Sequence, residues 1–252
     1  MTGLPGGDAV FLYDGSLEGL LTCVFEAYRL KILPEIASAD NYCKSLFAAE
    51  QYIATDTVKA ERVCAGLKKL GGAVFSTVQY CYLSGEPRKE KIIFAYIRHT
   101  LSAGRDLNGN YADPVISAAL ACLQKVTREA ERLKGLLRLQ ELKDGSFYGA
   151  VEPEHCVLPL LAGHFRARLG GQSWIIHDAR RSMALVCRQG EVRVFSAVDI
   201  QNAREQYSAA EPGYQELWKI FFKNIAIQER RNLKLQRHFM PRRYWKYLVE
   251  KN

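Results

Sequence analysis

The apolar periodicity of the chain changes near residue 136, and this change limits the folds that the sequence allows. Before it, residues 89–102 and 113–135 repeat apolar side chains every three or four positions, which predicts amphipathic helices. After it, "LLRLQELKDGSFYGAVEP" alternates around Asp144 and Gly145, which predicts a β-hairpin. The sequence therefore predicts two parts, 1–136 mainly helical and 137–252 built on a sheet with C-terminal helices. The connection is too short for independent domains, so we expect one compact unit.

Local signals give the order of the elements. In the first part, residues 8–15 predict a short strand, 16–31 a helix capped by Ser16, and 45–56 an extended segment, followed by a helix over 57–83 that is interrupted at Gly71. In the second part, residues 156–169 predict a helix, and 173–197 predict three strands that turn at 178–181 and 189–190. An antiparallel sheet packed against helices, an α+β fold, accounts for this order.

The last long helix is predicted to begin near Glu211. Its apolar residues are spaced at three, four, seven, eight and eleven positions, which is the pattern of one helical face. We expect this face to pack in the core, through Tyr214, Leu217, Trp218, Phe221, Phe222 and Ile225.

Composition excludes several classes of protein. With 48% apolar and 25% charged residues over 252 positions, the chain is globular. Charges interrupt the apolar runs before the roughly 20 residues that a membrane span needs, and the N-terminus lacks a secretory signal, so we expect a cytoplasmic location and no membrane. The seven cysteines lie at least 17 residues apart, which disfavours zinc and iron–sulfur sites, and no metal or cofactor is expected.

No sequence motif identifies a reaction. The phosphate-binding loop, the dinucleotide fingerprint, the nucleophile elbow and the zinc-peptidase motif are all absent. The question of whether the chain is an enzyme stays open, and a non-catalytic role is favoured.

The net charge of +8 is concentrated near the C-terminus. Residues 219–252 contain ten Lys or Arg and two Asp or Glu, so the remaining residues balance to zero. Within that segment "RHFMPRRYWKYL" interleaves cations with aromatic rings, which suits phosphate neutralisation and stacking on unpaired bases. The predicted nucleic-acid contacts are Arg230, Arg231, Lys234, Arg237, Arg242, Arg243, Tyr244, Trp245 and Lys246. Alternatively, the rings of Tyr244 and Trp245 anchor the segment to the core while the charges stay in solvent.

A second cluster combines "HFRARL" with "WIIHDARR". If the helix and the strand turn meet, these segments form a basic pocket that can hold phosphate, with Asp178 as its one acid. The predicted pocket comprises His164, Arg168, His177, Arg180 and Arg181. The alternative is an ion-pair network that joins the helix to the sheet. His164 and Asp178 are the candidates for acid–base catalysis.

The segments quoted above also carry a family resemblance. Residues 211–250, together with "VFLYDGSLEGLLTCVFEAY", "LAGHFRARL" and "WIIHDARR", resemble in order the segments of a bacterial family described as DNA metabolism or DNA repair proteins. The family's core is a domain of unknown function, similar to one fused to some uracil-DNA-glycosylase-like proteins. Stand-alone members are encoded beside a radical S-adenosylmethionine (SAM) protein. The resemblance implies DNA as context and the radical SAM protein as a partner, but it supplies no catalytic residues. The interleaved cations and rings extend the expected DNA partner to single-stranded or damaged forms.

Three hypotheses follow for the function. The first is an accessory protein of DNA repair or modification that binds DNA through the basic C-terminal segment and acts with the radical SAM protein. The second is a nucleic-acid-processing enzyme, glycosylase-like or nuclease-like, that uses His164 and Asp178. The third is a scaffold whose basic segment docks on an acidic surface of the partner enzyme.

Overall fold

The computed structural model describes residues 9–44, 48–200, 203–225, 227–230 and 232–251. Contacts within the chain divide it into two compact units, Met1–Val126 and Thr127–Asn252. The division falls inside a long helix, whereas the sequence analysis places the boundary at the end of that helix.

The first unit contains a three-stranded parallel sheet. Strands β1 (Ala9–Tyr13), β2 (Glu35–Ser38) and β3 (Ala49–Tyr52) are ordered β2-β1-β3. Helix α1 (Leu17–Leu30) connects β1 to β2, which lets the two strands run in the same direction. The predicted cap of α1 is confirmed, since the Ser16 hydroxyl oxygen accepts a hydrogen bond from the Gly19 amide at 2.9 Å.

Four helices complete the first unit and lead into the second. They are α2 (Thr57–Leu70), α3 (Gly72–Tyr82), α4 (Lys89–Ala103) and α5 (Pro114–Leu136), the helix that contains the division. The predicted interruption at Gly71 is confirmed, and its φ of +152° is a value that L-residues with side chains rarely adopt. The buried core of this unit includes Phe11, Leu20, Leu67, Ile97 and Ile116.

The second unit is built on a five-stranded sheet. Its strands, in spatial order, are β4 (Gln140–Glu141), β5 (Phe147–Val151), β6 (Trp174–Asp178), β7 (Met183–Arg188) and β8 (Glu191–Phe195). Pairs β4/β5, β6/β7 and β7/β8 are antiparallel, but β5 and β6 are parallel because α6 (Leu158–Leu169) returns the chain between them. The α+β class is confirmed, and the predicted purely antiparallel sheet is corrected to a mixed one.

The C-terminal region consists of short helices. Helix α7 (Glu211–Asn224) is followed by a 3₁₀ helix, Gln228–Arg230, and by α8 (Leu233–Phe239). Two further 3₁₀ helices, Arg242–Tyr247 and Val249–Lys251, end the described chain. None of the helices in the described ranges combines the length and the apolar character that crossing a membrane requires.

The predicted burial of the apolar face of α7 is wrong. Leu217 is 64% exposed and Ile225 is 62% exposed, and Tyr214, Trp218 and Phe221 are exposed as well. Of the six residues, only Phe222 is half-buried. Periodicity shows that one face of a helix is apolar, but it does not show what covers that face.

Candidate nucleic-acid interface

The 3₁₀ helix Arg242–Tyr247 is fixed to the sheet by Tyr244. This side chain is 2% exposed, and its hydroxyl donates a hydrogen bond to the buried carboxylate of Glu129 on α5. The same carboxylate accepts hydrogen bonds from the backbone amides of Glu154, at 2.9 Å, and His155, at 2.7 Å. Tyr244 is therefore an internal anchor whose ring cannot stack on a base.

Two of the predicted contact residues in this helix are paired with carboxylates. Arg243 Nη1 lies 2.7 Å from Glu154 Oε2, and its Nη2 lies 3.2 Å from Glu129 Oε1. Lys246 Nζ lies 2.6 Å from Glu152 Oε1. These pairs offset the positive charge that the sequence analysis assigns to phosphate binding.

The three carboxylates that hold the segment, Glu129, Glu152 and Glu154, are not among the residues predicted from the sequence. Glu129 lies three residues after Val126 and four before Leu133, so it occupies the apolar face of α5, and a carboxylate in that position is a signal of a buried partner. Glu152 and Glu154 follow β5 directly and carried no comparable signal. Hydrogen bonds from Lys246 and then Tyr247 lower the pKa of Glu152, which keeps the carboxylate charged.

Trp245 is also held in place. Its Nε1 donates to the Met240 carbonyl oxygen at 2.9 Å, and the ring is half-buried. The Lys251 ammonium lies 4.8 Å from the ring centroid, and the Arg242 guanidinium lies 5.8 Å from it. Trp245 therefore braces the basic segment.

The remaining cations of the C-terminal region are arranged differently. Five of them, on α7, on α8 and in the segments that flank α8, are exposed, and within the described ranges none of the five is ion-paired with a carboxylate. They are Lys223, Arg230, Lys234, Arg237 and Arg242. The predicted contact Arg231 lies outside the described residues.

Helix α7 also carries exposed aromatic side chains. Tyr214, Trp218 and Phe221 are exposed, and the rings of Trp218 and Phe221 are 5.6 Å apart. We call these three rings and the five cations Lys223, Arg230, Lys234, Arg237 and Arg242 the α7–α8 surface. Exposed cations and exposed rings are the two kinds of group that bind single-stranded nucleic acid.

The turn after β6 holds Asp178 in a closed set of hydrogen bonds. Asp178 is fully buried, its Oδ1 accepts from the amides of Arg180 and Arg181, and its Oδ2 lies 2.9 Å from Arg181 Nη1. The Arg181 guanidinium also donates to the carbonyl oxygens of Pro153 and Glu154. These contacts join the ends of β5 and β6, which is the arrangement of a structural ion-pair network.

The structure does not assemble the predicted phosphate pocket. Arg168 lies in the last turn of α6 and borders a cleft that also includes Phe147, the first residue of β5. Because Phe147 pairs with Trp174, this cleft is at the amino end of β6, whereas Asp178 is at the carboxyl end. Arg168 and the turn that carries Arg180 and Arg181 therefore lie at opposite ends of β6.

The two predicted histidines have buried nitrogens. His177 is buried, and its Nδ1 lies 3.1 Å from the Tyr148 hydroxyl, whose pKa burial raises to about 12. Neither His177 Nε2 nor Nε2 of His164 has a hydrogen-bond partner among the described residues. The described ranges contain no group of three or more His, Cys, Asp or Glu side chains that could hold a metal ion.

A cleft of about 800 Å³ lies beside the 3₁₀ helix Arg242–Tyr247. Its walls include three cations and three tyrosines: Arg138, Lys219, Lys246, Tyr148, Tyr207 and Tyr247. Arg138 is paired with Glu250 at 2.6 Å, and Lys246 is paired with Glu152. Lys219 is the remaining cation, and it forms no ion pair among the described residues, although Glu205 lines the same cleft. A cleft of this volume fits a small ligand.

Comparison with known proteins identifies a family, but that family has no described activity. A family model described as a domain of unknown function, DUF4130, matches residues 87–250. No curated protein and no solved structure matches the chain. Because the matched residues make up more than half of the sequence, the chain belongs to the DUF4130 family.

Proposed function

We propose that the chain is an accessory DNA-binding protein of DNA repair or modification, and that it contacts DNA through the α7–α8 surface. One observation carries the proposal: five exposed cations lie within residues 223–242 and have no carboxylate partner among the described residues. Two other predicted contacts, Arg243 and Lys246, are held by acids. The proposed contact residues therefore shift from the 3₁₀ helix Arg242–Tyr247 toward α7 and α8.

The chemistry of the surface favours unpaired strands. The five cations neutralise phosphates along a backbone, and each neutralised phosphate releases condensed counterions. Unpaired bases stack on exposed rings at about 1–3 kcal/mol for each base. Tyr214 and Phe221 are exposed, and Trp218 is 36% exposed with the Arg138 guanidinium over its ring, 4.9 Å from the centroid. Bases in a duplex are already stacked, so the rings add affinity only for single strands or for locally opened sites.

Salt dependence of binding tests the proposal directly. Fluorescence anisotropy would measure the affinity for a labelled single strand and for the matching duplex across a series of salt concentrations. If five phosphates are neutralised, log K should fall against log salt with a slope of about −3.5 for the single strand and about −4.5 for the duplex. The single strand should bind more tightly than the duplex. A flat salt dependence, or no binding at low salt, would overturn the proposal.

Single substitutions test the base-stacking contacts separately from the phosphate contacts. Phe221→Ala removes a ring that is 52% exposed, and it should weaken single-strand binding while leaving the salt slope unchanged. Arg193→Ala is the control, because Arg193 is an exposed cation of β8 that already pairs with Glu191 at 2.9 Å. This control should bind like the unmodified protein.

The proposed partner is a radical SAM protein. The resemblance of residues 211–250 to the DNA metabolism family supports it, since members of that family are encoded beside such a protein. Co-purification from the native host, with and without nuclease treatment, tests the association. Recovery that survives nuclease indicates direct contact, recovery lost with nuclease indicates bridging by DNA, and no recovery in either case overturns the association.

A further inference from the structure

An apolar groove lies between the end of α7 and helix α8. It has a volume of about 650 Å³. Phe222 and Ile225 form one side, and Ile227 follows in the connecting segment. Leu235 and Phe239 of α8 form the other side, and Phe239 is 61% exposed.

Among the residues that the structure describes, the polar side chains of the groove are neutral or positive. Lys223, Arg230 and Lys251 contribute to its walls, together with Asn232 and Gln236, and none of the described lining residues is acidic. Lys251 lies 5.4 Å from the centroid of the Phe222 ring, so a cation stands directly over the apolar floor. An apolar strip bordered only by cations is complementary to an apolar strip bordered by carboxylates.

The exposed apolar side chains of the groove are contiguous, which indicates a binding surface. Isolated exposed hydrophobic side chains are ordinary, but contiguous ones mark a surface that binds something. The groove walls hold Ile225, Ile227, Leu235 and Phe239 within a span of fifteen residues, all of them exposed. Aliphatic side chains gain little from stacking on bases, so DNA does not account for them.

We propose that this groove docks an amphipathic helix of a partner protein, with acidic residues along the borders of the helix's apolar face. A helix fits because side chains of α7 and α8, rather than a free strand edge, form the walls, which is the helix-in-groove mode of recognition. A second copy of this chain is a poor occupant. Two copies joined through the same groove would bring six cations together without an acid.

The groove shares two cations with the proposed DNA-binding surface, but its aliphatic residues are not part of that surface. The aliphatic residues that define the groove take no part in the proposed DNA binding, so their replacement should leave DNA affinity unchanged. Lys223 and Arg230 belong to both surfaces, so an acidic helix and DNA should compete.

Designed peptides provide the test. The probe is a peptide of about five helical turns, with Leu on one face and Glu on the other. The comparison peptide carries Lys in place of every Glu. Fluorescence anisotropy with the full chain should show that the Glu peptide binds at least about tenfold more tightly than the Lys peptide. Equal binding of the two peptides, or no binding of the Glu peptide, would overturn the inference.

Variants locate the binding in the groove. The double variant Ile225→Gln/Leu235→Gln should lose at least about tenfold in affinity for the Glu peptide. Both positions are exposed, so the fold should persist, and circular dichroism checks this. The control Ile220→Gln changes an exposed residue of α7 that does not line the groove, and it should bind normally. If the double variant binds the peptide as well as the control does, the groove is not the site.

The same variants distinguish a partner helix from a lipid surface and from a second copy of this chain. Binding of anionic phosphatidylglycerol vesicles, lost in the double variant while the Glu peptide does not bind, would replace the partner helix with a lipid surface. Self-association detected by light scattering, lost in the same variant, would replace it with a second copy. If the Glu peptide binds but DNA does not, the groove inference stands and the proposed function fails. If DNA binds but the Glu peptide does not, the proposed function stands and the groove inference fails.

Discussion

The Tyr244 hydroxyl donates a hydrogen bond to Glu129, a residue that lies 115 positions earlier in the sequence. Both side chains are buried, and Glu129 also accepts hydrogen bonds from two backbone amides. Burial, and then the neighbouring carboxylate, raise the pKa of Tyr244, which keeps the hydroxyl protonated and able to donate. This pair connects helix α5 to the last described part of the chain.

Tyr244→Phe removes one donor from a buried carboxylate. Hydrogen bonds to charged groups contribute about 1.5–3 kcal/mol, so we expect the free energy of unfolding to fall by that amount. All three tryptophans, Trp174, Trp218 and Trp245, lie in the second unit, so their fluorescence during urea denaturation reports on that unit. Tyr214→Phe removes an exposed hydroxyl and should change the free energy by less than about 0.5 kcal/mol. A similar effect of both variants would contradict the anchoring role.

The contact between Tyr244 and Glu129 is an example of a structural feature that the sequence does not predict. Local patterns predicted the helices, the hairpin and the cap at Ser16 because each depends on residues close in sequence. The partners of the basic segment depend on tertiary packing, which no local spacing encodes. For the same reason the apolar face of α7 was predicted to be buried, although Leu217 and Ile225 are exposed. The parallel pairing of β5 and β6 likewise follows from the path of the chain through α6.

Gly19 occupies a crowded position at the start of α1. A Cβ there would lie 2.3 Å from Asp14 Oδ1 and 2.9 Å from Thr55 Oγ1. Asp14 cannot move aside without loss, because it accepts hydrogen bonds from Ser16 at 2.6 Å and from Thr55 at 2.8 Å. Gly19→Ala should therefore lower the free energy of unfolding by about 1–3 kcal/mol, despite the higher helix propensity of alanine.

Gly66 provides the matched control for that substitution. It lies inside α2, where a Cβ would meet Leu101 Cδ2 at an ordinary contact distance of 3.9 Å. Gly66→Ala should raise the free energy of unfolding by up to about 1 kcal/mol. Chemical denaturation followed by far-ultraviolet circular dichroism measures both variants. If Gly19→Ala and Gly66→Ala change the free energy of unfolding in the same direction, helix propensity outweighs crowding at Gly19.

Glu250 makes stability depend on pH. Burial raises its pKa, but hydrogen bonds from Arg138, at 2.6 Å, and from Trp218, at 2.9 Å, more than offset this, and the pKa lies below its usual value. A carboxyl whose pKa is lower in the folded state contributes stability above its unfolded pKa of about 4.3, and that contribution disappears as the pH falls through the folded pKa.

Removal of that carboxyl should flatten the acid limb of the stability profile. Glu250→Gln should be less stable than the unmodified protein at neutral pH, and the difference should shrink progressively once the pH falls below about 4.3. Urea denaturation at neutral, mildly acidic and acidic pH measures it. Glu216→Gln removes an exposed carboxyl of α7 and should follow the unmodified protein. A stability difference between Glu250→Gln and the unmodified protein that is constant across pH would refute the linkage.

Salt dependence should distinguish the exposed cations from the paired ones. Arg237 is exposed on α8 without an ion-pair partner among the described residues, so Arg237→Ala should remove one phosphate contact and reduce the magnitude of the single-strand salt slope by about 0.7. Lys246 is held 2.6 Å from Glu152, and its charge is already compensated in the free protein. Lys246→Ala should therefore change the slope by less than half as much. Anisotropy titrations with one single strand measure both slopes. Equal reductions would return the DNA contacts to the 3₁₀ helix Arg242–Tyr247, as the sequence analysis expected.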